Sequence, residues 1–116
     1  MSQDRVIALR DRYVRYFEEG RGDGEHAAVA VFLGYQPITR IDRFNRHADH
    51  HGVDWDQVLA EGWSSTEHFL LATAAGLFRS RRTEVNISRV GFLDHSQYTP
   101  WLAMIVACRI GSPRPG

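Results

Sequence analysis

Gly62–Arg82, GWSSTEHFLLATAAGLFRSRR, reads as one helix with both ends marked. Ser64 and Glu67 have the S-x-x-E spacing of a capping box, in which each side chain satisfies a backbone N–H at the helix start. Trp63 stands just ahead of the cap, where an apolar residue fixes the entry angle. At the far end Arg79, Arg81 and Arg82 place positive charge where the helix dipole favours it. With helical periodicity Leu70, Leu71, Ala74, Leu77 and Phe78 share one broad face. Phe69, Ala72 and Gly76 form a narrower line on the opposite side. A helix apolar on two sides needs neighbours on two sides, so it is expected at the centre of the fold.

Around that helix the chain has room for one domain. It has 116 residues, 43% hydrophobic and 24% charged, with a formal net charge of zero. That balance is ordinary for a globular protein and gives no general attraction to nucleic acid or anionic membrane. The single cysteine, Cys108, cannot form an internal disulfide and sits in an apolar run, as a small buried hydrophobe would. Asp4, Arg5, Arg10 and Asp11 interrupt the start too early for a signal peptide. The apolar run near the end is far short of the ~20 residues of a membrane span. A cytoplasmic protein is expected, in one domain over residues 1–111 with a disordered tail, SPRPG, over 112–116.

Upstream, Asp4–Glu19 predicts an amphipathic helix with Val6, Leu9, Tyr13, Tyr16 and Phe17 on one face. Arg10 lies inside that apolar arc, as a guanidinium snorkelling to its edge or as one half of an interfacial ion pair. The G-R-G-D-G run ends the helix. Gly24–Leu33 predicts a buried helix, apolar nearly all round, with Asp23 as a cap and Gly34 at its end. Thr39 and Asp42 have capping spacing for a third helix reaching His50. A fourth, Asp54–Glu61, carries Trp55, Val58 and Leu59 inward. Downstream, EVNIS over Glu84–Ser88 alternates like a short strand, with Ile105–Ile110 as its pairing partner. A final helix starts at Asp94, or at Thr99 with Pro100 as its first residue. The fold expected is mainly α, a bundle of five or six helices with at most a short two-stranded ribbon in the C-terminal third. Its core contains Leu9, Tyr13, Phe17, Val31, Phe44, Trp55, Leu70, Leu71, Ala74, Leu77, Phe78 and Ile105.

Chemistry-bearing patterns are few. His47, His50 and His51 with Asp49, Asp54 and Asp56 invite a metal reading, but no second ligand pair has a recognisable spacing and HExxH is absent. Solvent-facing histidines on a polar helix explain them as well, and no metal or other cofactor is expected. Phe44, Ala48, Gly52, Val53 and Val58 match the spacing of a helix-turn-helix. The second helix of that pair carries Asp54, Asp56 and Glu61 and no basic residue, which opposes phosphate contact. No nucleophile elbow, phosphate loop or dinucleotide fingerprint occurs, so no catalytic residue is assigned. Arg40, Arg43, His47 and His51 fall within one arc of about 80° on a helix. Solvation alone accounts for many such faces. As a site it presents guanidinium forks to carboxylates or phosphates, and the histidines add charge in mild acid.

The run Gly62–Phe78, with its G-W-S-S-T-E start, followed by Val85–Ile87 and Leu93–Asp94, resembles short uncharacterised actinobacterial proteins with a G-W-S-S-x-E helix start. The resemblance covers about the last half of the chain. That family carries no assigned activity, and the shared residues are capping and packing residues. The function expected is a non-catalytic interaction or regulatory protein that binds a protein partner through Arg40, Arg43, His47 and His51. It would pair with a second copy through Phe69, Ala72 and Gly76. A helix-turn-helix regulator of DNA and a histidine-dependent metal enzyme are the alternatives. Binding to nucleic acid or membrane is not expected.

Overall fold

Ser64 and Glu67 close the capping box: the Ser64 N–H donates to Glu67 Oε1 at 3.0 Å and the Glu67 N–H to Ser64 Oγ at 3.2 Å. The helix so started is the sixth of seven α-helices in a computed structural model describing residues 2–19, 24–49, 51–79 and 85–110. Outside those residues lie Asp23 and its loop, His50, Arg81, Arg82, Glu84 and the expected tail, and outside them too lie the side chains of Phe17 and Arg79. In chain order the helices are α1 (Ser2–Glu18), α2 (Gly24–Leu33), α3 (Gln36–Thr39) and α4 (Asp42–Asn45), then α5 (Trp55–Ala60), α6 (Ser65–Arg79) and α7 (His95–Ile110). An antiparallel ribbon, β1 (Ala48–Asp49) and β2 (Gly52–Val53), and a 3-10 turn, Ile87–Phe92, complete the described residues.

The mainly α single domain is as expected, but its centre is shared. α6 buries every residue from Phe69 to Ala75, and its two apolar sides do have neighbours, α2 on one and α7 on the other. The shorter α2 packs on three helices, α1, α6 and α7, because Ala28, Val29, Ala30, Phe32 and Leu33 leave it no polar side to turn to water. α1 adds Val6, Leu9 and Tyr13 at helical spacing. Four rings fill the space between α2, α4, α5 and α6: Trp55 lies 6.2 Å from Phe32, 6.3 Å from Phe44 and 6.4 Å from Phe78.

The third helix expected over residues 39–50 does not form. Thr39 was to cap it, yet its hydroxyl donates backward to the carbonyls of Leu33 at 3.1 Å and Tyr35 at 3.0 Å. Ile41 is extended (φ −75°, ψ 141°), so α3 and α4 remain single turns. Buried Asn45 ties them together, its Nδ2 donating to the carbonyls of Thr39 and of Ile41. The chain then reverses where a helix was expected. Asp49 Oδ1 accepts from the N–H groups of His51 at 2.8 Å and Gly52 at 3.2 Å, and this side-chain turn closes the ribbon. The fourth helix forms as read, with Asp54 accepting from the Gln57 N–H at its start.

Two expectations about the C-terminal third are corrected. No strand runs through Val85–Ser88; Asn86 instead caps the 3-10 turn, accepting from the Ser88 N–H at 3.2 Å. The ribbon therefore lies mid-chain, and Ile105–Ile110, offered as a pairing strand, is helix. α7 starts at Asp94, whose Oδ1 accepts from the Gln97 N–H at 2.9 Å while Gln97 Oε1 accepts from the Asp94 N–H at 3.1 Å. Pro100 sits inside it, leaving the Ser96 carbonyl without its helical donor. The core side of α7 is Met104 with Trp101, and Ile105, placed in the core by its spacing, is 36% exposed.

Candidate functional site

The four residues expected to share a binding stripe do not share a helix. Arg40 follows α3 and lines a narrow groove with Ile7, Arg10 and Gly34. Arg43, on α4, is spent on contacts within the chain: its guanidinium carbon stands 4.6 Å over the Trp63 ring, and Nη1 donates to the Gly62 carbonyl. His47 meets Glu61 across the ribbon, Nε2 to Oε2 at 2.7 Å, and His51 sits exposed at the ribbon's turn. The arc required an unbroken helix, and two single turns and a hairpin scatter it. The same departure removes the helix-turn-helix, since Ala48, Gly52 and Val53 lie in the ribbon.

Glu61 becomes the centre of charge here. The His47 hydrogen bond holds its carboxyl below the ordinary value of 4.5. Burial pushes the other way, and the charges of Arg46, His47 and Arg43 add to the lowering. Arg46 Nε lies 3.4 Å from the same oxygen. A carboxyl whose folded value is lowered adds stability in full above its ordinary value and loses it as pH falls through the lowered one. Glu61→Gln should therefore flatten the acid side of a stability–pH curve below pH 4.5. The loss left over belongs partly to Asp94, held low first by the Ser96 hydroxyl and then by the Gln97 N–H. Urea unfolding at stepped pH reads this; parent and variant curves of equal slope in acid would show that the bridge does not act.

Phe69 and Ala72, expected at a dimer contact, are 3% and 1% exposed. The Phe69 ring stacks on Trp101 of α7, centroids 5.6 Å apart, so this chain already covers that line. Gly76 is half-buried. An open apolar surface lies one layer out. Tyr98, Leu102, Ile105 and Val106 on α7 are exposed at spacings of four, three and one, which puts them within an arc of about 100°.

A second feature stands at the start of α6. An open pocket of about 420 Å3 is lined by Trp63, His68, Phe69, Ala72, Asn86 and Arg89, among others. Nothing in the sequence marks it: Asn86 falls in a stretch that alternates like a strand, and Trp63 stands where an entry residue for α6 belongs. Among the described residues no group of three or more His, Cys, Asp or Glu side chains could hold a metal ion, and no helix is long and apolar enough to cross a membrane. Compared with protein-family models, with curated proteins and with solved structures, the chain matches none.

Proposed function

We propose that this chain is a non-catalytic interaction protein whose partner docks on the outer face of α7, and that the partner is a second copy of the chain. The observation that carries this is the stripe Tyr98–Leu102–Ile105–Val106. Its inner neighbours Trp101 and Met104 are already packed, Trp101 Nε1 donating to Thr73 Oγ1 at 3.0 Å, so the helix cannot roll to hide the stripe. An apolar row on a helix about 24 Å long is a contact surface rather than a solvated face. The stripe holds no charge, and the whole chain has a net charge of zero. Two copies related by a two-fold axis can therefore bring their α7 helices together antiparallel, Tyr98 toward Val106, with the uncharged rows facing each other.

Light scattering during gel filtration should give a mass near twice 13.3 kDa, and Leu102→Glu should return it to the monomer value. A half-exposed position tolerates that change within about 0.5 kcal/mol of monomer stability, so the variant stays folded. A parent mass that remains at 13.3 kDa through a tenfold rise in concentration, or a Leu102→Glu variant that is still dimeric, would overturn the reading.

A further inference from the structure

The pocket beside the α6 start has the makings of a ligand site with a defined charge. Its volume of about 420 Å3 lies in the range of small-molecule sites. Its apolar part is fixed in place. Trp63 donates its Nε1–H to the Val58 carbonyl at 2.8 Å and carries Arg43 on its ring, while Phe69 is stacked on Trp101. Its polar part consists of donors that meet no acceptor among the described residues. The Arg89 guanidinium faces the Phe92 ring at 5.5 Å and meets no carboxylate among the described residues. Asn86 Oδ1 is occupied by the Ser88 N–H at 3.2 Å and the Ser88 hydroxyl at 2.7 Å, and its NH2 group has no hydrogen bond among the described residues. The His68 ring likewise has no hydrogen bond among the described residues, and no acidic side chain is among the described residues lining the pocket.

We infer that this pocket binds a small monocarboxylate with an aromatic body, its ring against Trp63 and its carboxylate on Arg89 and the Asn86 amide. Among the described lining residues Arg89 is the one permanent cation; it balances one negative charge, and a guanidinium fork matches a carboxylate oxygen for oxygen. A phosphate dianion would need more positive charge than the described lining supplies and would gain nothing from the Trp63 ring.

Phenylacetate is a sufficient probe, titrated into the full chain by calorimetry with phenylacetamide and inorganic phosphate as controls. Saturable one-to-one binding is expected for phenylacetate, with the amide and phosphate each weaker by about tenfold or more. Arg89→Gln should lose about tenfold in affinity, with an unchanged thermal midpoint because the residue stands on an exposed turn. Asn86→Asp keeps the oxygen that caps the 3-10 turn and swaps the free donor for a second carboxylate, so it should abolish binding while leaving the fold intact. Absence of saturation with phenylacetate, equal binding of acid and amide, tighter binding of phosphate, or an Arg89→Gln variant that binds like the parent would each overturn the assignment.

Discussion

Trp55→Ala should lower the unfolding free energy by about 3–5 kcal/mol, the range for deleting a fully buried large aromatic. Trp55 is 1% exposed and touches rings contributed by α2, α4 and α6. Removing it opens a void that those elements cannot close together, since each is held from another side: Phe32 by the rest of α2, Phe44 by the Asn45 clamp, and Phe78 by its stacking on Tyr13 at 5.6 Å. Urea unfolding with a constant slope measures the loss. A cost below about 1 kcal/mol would mean that the four rings do not form one packed unit.

Gly24→Ala should also destabilise, and here the sign is what tests the structure. Within a helix, glycine to alanine ordinarily gains up to about 1 kcal/mol. At Gly24 a methyl group would overlap the Cys108 carbonyl oxygen of α7 and lie 3.1 Å from its carbonyl carbon. The obstacle is backbone, so relief requires the two helices to part, at a cost of about 1–3 kcal/mol for overpacking. Gly62 and Gly91 have nothing within 4 Å of such a methyl, and alanine there should be neutral. A Gly24→Ala protein as stable as these two controls would show that α2 and α7 are not in backbone contact.

What could be read from the sequence was what neighbouring residues decide among themselves. The capping box at Ser64 and Glu67, the Asp54 cap and the all-apolar run of α2 each need only local geometry, and their elements stand where they were expected. The errors fall where two local solutions compete. Thr39 has cap spacing to Asp42, but a threonine hydroxyl can equally bond a carbonyl behind it, and packing of Asn45 chose the second. Val85–Ser88 alternates like a strand, yet an asparagine at 86 can begin a 3-10 turn just as well. On α7 two apolar stripes adjoin, and only tertiary contacts show that Met104 is the buried one and Ile105 the exposed one. The site residues were harder still. His68 was within view on α6, but nothing in its spacing to Asn86 and Arg89 predicts a common pocket, because a change of direction between helix and 3-10 turn brings them together.

The close approach of Gly24 to Cys108 joins residues about 80 positions apart, and that distance sets a clock. During synthesis at roughly 5–20 residues per second, the roughly 60 residues between the end of α2 and the start of α7 take about 3–12 s to appear. Through that interval α2, which has no polar side, has α1 and later α6 to pack on but lacks α7. Non-specific collapse takes well under a millisecond, so the nascent chain has ample time to hide α2 against the wrong surface. The core is complete only once α7 is free, and until then the nascent chain presents the α7-facing side of α2 uncovered, the kind of apolar surface that chaperones hold.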